Sequence, residues 1–257
     1  MTKIHPTAVV NPEADIGEEV EIGPYATVGE HVRLGDGTIV HPHVVVDGFT
    51  TVGEGCEIFP GAAVGLRCQD LKYAGEKTYV RIGARTVIRE CVTVNSSTGE
   101  GSATEIGDDC FLMAYSHVGH NCRLGNGVIM ANLASLAGHI LIEDRAVIGG
   151  LVGVHQFVQV GTLSMIGGLS KVNQDVPPYA LSDGVPCSVR DINAVGLRRQ
   201  GVAAETRNTI RRAFKILFKS GLATSHAMEI VRSELPAIPE IAHLLEFIAK
   251  SKRGIGR

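Results

Sequence analysis

From Ile4 onward an aliphatic residue recurs at every sixth position: Val10, Ile16, Ile22, Val28, Leu34 and so on to Val64. The register resumes at Ile82, Ile88 and Val94, then runs again without interruption from Ile106 to Val172. The position four residues later is small in most hexads, as at Ala8, Ala14 and Ala26, and a glycine often follows the aliphatic residue, as in Ile16-Gly17 and Ile22-Gly23. A hexad of this kind is one short strand plus one corner, with the aliphatic side chain inward and the small residue under the bend. Three such units close a triangular coil of roughly 18 residues, the hexapeptide β-helix repeat. Few other architectures accept so strict a period.

Stacked coils lie about 4.8 Å apart, the strand spacing of a sheet. Only the two ends of such a prism leave a sheet edge free. Periodicity does not reveal the hand of the helix, and parallel crossovers are ordinarily right-handed.

Two stretches leave the repeat, near residues 66–81 and 95–105, and both are polar or glycine-rich. Loops ejected from a rigid scaffold are where binding groups collect. The pattern changes after Asp175-Val176-Pro177-Pro178, and apolar spacing becomes helical from about Asn193. Ile210, Phe214, Leu217 and Phe218 form one stripe before Gly221; Met228, Val231 and Leu235 form a second; Pro239 opens a third. The expected organisation is a β-helix over residues 1–190 and a helical domain over 191–257 that covers its open end.

Residues 18 apart stack on successive coils, so His120, Gly138 and Gln156 share a column. His117, His139 and His155 flank it, placing four histidines within about three coils. Histidine exchanges protons near neutral pH, and a glycine N–H facing outward can stabilise an oxyanion. A lone histidine at a corner would read as a surface residue; the cluster argues for chemistry. Cys56, Cys68, Cys110 and Cys122 all occupy the small slot of the hexad, and no C-x-x-C pair occurs. They read as packing residues rather than ligands or nucleophiles.

Several segments carry a more specific likeness: SHVGHNC (116–122), LAGH (136–139), VHQF (154–157), QDLKYAGE (69–76), QDVPPY (174–179) and GLRRQG (196–201). Together they resemble the UDP-N-acetylglucosamine O-acyltransferases, the first enzymes of lipid A synthesis, over essentially the whole chain. The resemblance implies a left-handed parallel β-helix followed by helices. It implies transfer of a fatty acyl group, carried on the phosphopantetheine of acyl carrier protein, to the 3-position of the sugar nucleotide, with no metal or other cofactor. It places the general base on His120 and the oxyanion donor on the N–H of Gly138. Substrate contacts fall on Gln69, Asp70, Lys72, His117, His139, His155, Gln156, Asn193 and Arg199, and an acyl-chain ruler falls on Gly168. It further implies a homotrimer with sites between subunits.

This chain departs from the family pattern at Asn121, where many members have Asp, and at Val195, Gln200 and the NSSTGEG loop. An amide can orient an imidazole without supplying charge, so Asn121→Asp is expected to be tolerated.

Net charge is −3, which gives no general case for nucleic-acid or membrane-surface binding. No basic-then-apolar leader opens the chain and no apolar stretch is long enough to span a bilayer, so a cytoplasmic location is expected. Arg198, Arg199, Arg207, Arg211, Arg212, Lys215 and Lys219 face a single acid, Glu205, in one segment. A charge run of this sort is commonly a solvated helical face; given the resemblance it reads as a dock for the acidic carrier protein. The column Tyr115, Leu133, Leu151 and Leu169 should face outward and be covered by another chain or a lipid. Three other readings remain open: an acyltransferase for a 3-amino sugar nucleotide, a gamma-class carbonic anhydrase built on the same prism, and a non-catalytic β-helix.

Overall fold

The computed structural model describes residues 1–256. Within them, 28 short strands are followed by four helices, α1 (Ala194–Arg199), α2 (Ala204–Lys219), α3 (Thr224–Glu234) and α4 (Pro239–Lys250). Consecutive strands pass in turn to three sheets, A, B and C, of 11, 9 and 8 strands. Through the coils up to Val172 each strand therefore pairs, in parallel, with the strand three places on; the strand Ala180–Asp183 then extends sheet A beyond Met165–Ile166. Ile4 lies opposite Ile22 in sheet A, Val10 opposite Val28 in sheet B and Ile16 opposite Leu34 in sheet C. The register step is the length of one coil.

The aliphatic member of each hexad ends its strand and points into the prism, where Val46, Ile88, Leu112 and Ile148 are fully buried. The small slot has a second job. Cys56 Sγ donates to the Gly83 carbonyl at 3.1 Å, Thr86 Oγ1 to Gly107 at 2.9 Å and Cys122 Sγ to Ala137 at 2.9 Å. A cysteine or threonine there supplies a donor to the next coil without adding bulk. Burial pushes the Cys122 thiol up to about 12, so it is no thiolate nucleophile.

Most corners are two-residue turns whose second member sits in the left-handed region. This holds even for large side chains: Tyr115, Leu133, Leu151 and Leu169 have φ between 59° and 63°. Bulky residues rarely adopt this conformation; hydrogen bonds to the coils on both sides hold it here, as from Leu133 N to Ala114 O and Leu151 N to Asn132 O.

The excursions are shorter than the sequence pattern suggests. Tyr79–Ile82 and Ala103–Ile106 are full strands of sheet C, paired residue by residue, so the loops proper span 67–78 and 96–102. Strand alternation explains the difference. Val80 and Thr104, two residues ahead of the hexad positions, also point inward and are buried. Both loops leave the prism between sheet B and sheet C, the corner that carries His120.

At the C-terminal end the last coil is covered. An antiparallel strand, Ser188–Ile192, joins sheet A, and Asn193 caps α1, its Oδ1 accepting from Gly196 N at 3.0 Å while its Nδ2 donates to Leu163 O at 2.9 Å. Pro239 occupies the first turn of α4, where its missing N–H costs nothing. The chain then returns to the prism, with Asp175 N donating to Gly254 O and Val189 N to Gly256 O. Among the described residues nothing covers the opposite end, and Ile4 of the first coil is 48% exposed.

Candidate active site

The corner between sheets B and C presents, coil upon coil, the two loops, then His120-Asn121, Gly138-His139 and Gln156-Phe157. A cleft of about 460 Å³ opens beside it, lined by Gln69, Asp70, Lys72, Asn95, His117, His120, Gly138 and Gln156 among others. Sequence periodicity placed the stacked column; the long loop adds the carboxylate and the lysine.

His120 is only 7% exposed. Its Nδ1 lies 2.9 Å from Asn121 Oδ1, and its Nε2, on the cleft side, is 3.9 Å from Asp70 Oδ2. Asp70 is itself held by its Oδ1, which accepts from Lys72 N at 2.9 Å. The imidazole lies directly over Gly138: a Cβ at that position would fall 2.3 Å from both Cε1 and Nε2. Only glycine leaves room for the ring.

The Gly138 N–H has no hydrogen-bond partner among the described residues. The contrast with the corner between sheets C and A is informative. There the matching N–H groups are taken by an Asp or Asn ladder: Ala84 N by Asp108, Asp108 N by Asn126 and Asn126 N by Asp144, each at 2.8 Å. No such side chain covers Gly138, whose donor stays available to a ligand.

His117 lines the cleft, its Nδ1 2.7 Å from Thr93 Oγ1, and burial with the neighbouring His120 holds its pKa below the ordinary value. His139 is shifted the same way for the same reasons. Its ring meets His120 edge-on at 5.1 Å and stacks on Phe157 at 4.8 Å, so it walls the His120 ring rather than lining the cleft. His155 is exposed beside it, outside the cleft lining. Within one chain Asn193, Arg199 and Gly168 are elsewhere. Asn193 caps α1 and Arg199 ends it, and Gly168 is on the corner between sheets A and B. Among the described residues no cluster of three His, Cys, Asp or Glu side chains is placed to hold a metal ion.

Sequence reasoning missed Asn95. It is buried against the cleft, its Nδ2 donates to Arg67 O at 2.9 Å, and its Oδ1 has no partner. Its only sequence signal was a polar residue directly after the inward Val94.

Two family models match the chain: "Udp N-acetylglucosamine O-acyltransferase; Domain 2" over residues 175–256 and "Bacterial transferase hexapeptide (six repeats)" over 103–138. The chain is 50% identical, over the full length of both proteins, to an acyl-[acyl-carrier-protein]–UDP-N-acetylglucosamine O-acyltransferase of Thermodesulfovibrio yellowstonii. This chain belongs to the UDP-N-acetylglucosamine O-acyltransferase family. A second relative of the same name, from Burkholderia orbicola, is 46% identical over 100% of both chains. Among solved structures, the UDP-N-acetylglucosamine acyltransferase of Bacteroides fragilis superposes with a TM-score of 0.96 at 40% identity, covering 99% of this chain and 100% of that one. LpxA from Acinetobacter baumannii gives a TM-score of 0.95 at 42% identity, covering 99% of each chain. The fold is accordingly the left-handed parallel β-helix with C-terminal helices found in these acyltransferases.

Proposed function

We propose that this chain transfers a fatty acyl group from acyl carrier protein to the 3-hydroxyl of UDP-N-acetylglucosamine, the first step of lipid A biosynthesis, with His120 as general base. The observation that carries the reading is the stack of a nearly buried imidazole on a glycine whose N–H is unclaimed, at the mouth of a polar cleft. The relatives' names supply the substrates.

In the proposed reaction His120 takes the proton of the sugar 3-hydroxyl as that oxygen attacks the thioester carbonyl. The carbonyl oxygen becomes an oxyanion, stabilised by the Gly138 N–H. Collapse breaks the C–S bond, and the imidazolium gives its proton to the departing phosphopantetheine thiolate, leaving the ester. His117 and His139, their pKa values lowered, are neutral near pH 7 and add no competing charge. Gln69, Lys72, Gln156 and the free acceptor of Asn95 are suited to hydroxyl, amide and phosphate groups of the substrates.

A single chain does not complete the site. His120 and Gly168 stand on different edges of one prism, so a base and a chain-length ruler serve one substrate only if two copies meet. The apolar edge Tyr115, Leu133, Leu151 and Leu169, exposed by 47–68%, supplies a surface for that meeting. We assign it to a trimer contact that also brings Asn193 and Arg199 of a neighbouring copy toward the nucleotide. The cations from Arg198 to Lys219 form no ion pair with a carboxylate among the described residues, which suits an acidic carrier protein. Among the described residues no helix is long and apolar enough to cross a membrane. We place the reaction in the cytoplasm on the strength of its proposed carrier and nucleotide substrates.

His120→Ala tests the assignment. Loss of a general base costs about 100- to 10,000-fold in rate, and the fold should survive, because a corner side chain leaves the aliphatic core intact. Transfer at near-parent rates by a correctly folded variant would overturn the role. An assay offering 3-hydroxyl and 3-amino acceptors in parallel separates the O-acyl from the N-acyl reaction.

A further inference from the structure

Asn121 makes more contacts than orienting a ring requires. Its Oδ1 accepts from Thr98 N at 3.1 Å, its Nδ2 donates to Thr98 O at 3.0 Å, and its own N–H donates to Thr104 Oγ1 at 3.0 Å. A backbone N–H can only donate and a carbonyl can only accept. Thr98 therefore reads the amide at both ends and forces its oxygen to the side facing His120. That same oxygen is the one 2.9 Å from His120 Nδ1. An acceptor at Nδ1 requires the proton to be there, which leaves the lone pair on Nε2, over the cleft.

Thr98 belongs to the 96–102 loop and is held in turn by Glu76, from the other loop. Glu76 Oε1 accepts from Thr98 Oγ1 and from Gly99 N, both at 2.8 Å, and Oε2 accepts from Ala74 N at 2.8 Å. Donation from the Gly99 N–H, with Glu76's own backbone N–H, the Thr98 hydroxyl and the Ala74 N–H adding to it, pulls this carboxyl down to about 2, so it is charged near neutral pH. Ser102 Oγ, donating to Thr98 O at 2.7 Å, closes the loop from the far side.

We propose that Glu76 is a positioning residue for the transfer: by holding Thr98 it sets the Asn121 amide, and the amide confines the His120 proton to Nδ1. This rests on the reading of His120 as the base. It also reverses the expectation drawn from sequence for Asn121→Asp. A carboxylate there still accepts from Nδ1, but its second oxygen faces the Thr98 carbonyl, acceptor against acceptor.

The test uses the full-length protein labelled with 15N-histidine, with the His120 signals assigned by their loss in His120→Gln. The parent should show the Nδ1–H tautomer. Glu76→Ala should show a mixed or Nε2–H tautomer, with kcat lowered about 10-fold, a fraction of the loss of the base itself, and KM for the sugar nucleotide nearly unchanged. Glu76→Gln serves if the alanine variant fails to fold, since it keeps the size but turns an amide donor on either Ala74 N–H or the Thr98 and Gly99 donors. Asn121→Asp should also lose kcat. An unchanged His120 tautomer in a folded Glu76 variant, or an equal rise of KM with the fall of kcat, overturns the positioning role and leaves the base assignment standing. Undiminished transfer by His120→Gln overturns the base assignment, while the tautomer spectra still report on Glu76.

Discussion

An alanine methyl at position 138 would lie 2.3 Å from Nε2 of His120, well inside van der Waals contact. Gly138→Ala keeps the backbone N–H, so any loss of rate comes from displacing the ring rather than from deleting the proposed oxyanion donor. The variant should fold, because the position faces outward from a corner, yet its kcat should fall toward the roughly 100- to 10,000-fold deficit of a missing base. Steady-state assays with parent-like circular dichroism would establish this; parent-like kcat would show that the imidazole over Gly138 is not the reactive one. The buried acceptor of Asn95 gives a second residue-scale handle. An unpaired buried polar group costs about 1–3 kcal/mol, so Asn95→Leu should leave the melting temperature level or raise it while weakening substrate binding. A KM unaffected for both substrates would remove Asn95 from the site.

Among the elements, helix α4 touches the prism through His243, whose Nε2 is 2.8 Å from Glu143 Oε2. The hydrogen bond to Glu143, with its charge and that of Glu246, raises the His243 pKa above its ordinary 6.5 against the opposing effect of burial. A folded pKa above the unfolded one means stability that is complete below about pH 6.5 and is lost as pH climbs through the folded value. The melting temperature should therefore fall more steeply with rising pH in the parent than in Glu143→Gln; parallel profiles would show that the pair contributes nothing. The helices and the hexads were legible in sequence because each obeys a local period. The stacked pair His120 and Gly138 was legible for the same reason, since one uninterrupted coil separates them. Glu76, Thr98 and Asn95 were not. They lie on or beside the two ejected loops, where the register step grows, as in Ile58 opposite Ile88, and counting by coils no longer says what lies above what. The loop ends were misjudged at Val80 and Thr104 because a strand that starts two residues early follows alternation, not the hexad.

At the scale of the whole molecule, the proposed trimer is what would bring the edge bearing Leu133, Leu151 and Leu169 together with the edge bearing His120. Leu151→Asp, placing a charge in the middle of that apolar edge, should shift the protein toward monomers in sedimentation and cost activity in proportion. An unaltered oligomer would mean that another surface holds the copies together. Gly168 lies beside this edge, in line with Gly150, and its exposed corner has room for a side chain: an added Cβ meets nothing closer than Gly150 O at 3.2 Å. The contact is tight enough to need a small adjustment, and Gly168 has no left-handed φ to forbid the substitution. With no side chain there, an acyl chain lying along the edge can continue past it; a methionine would fill that path. Overpacking an apolar site costs about 1–3 kcal/mol, against roughly 0.8 kcal/mol for each methylene buried, so a few methylenes decide the preference. Gly168→Met should therefore favour a shorter acyl chain than the parent, with KM for the sugar nucleotide unmoved. Competition among carrier thioesters of graded length reads the change directly. The same length profile in a folded, assembled Gly168→Met protein would place the hydrocarbon on another edge and remove Gly168 as its ruler.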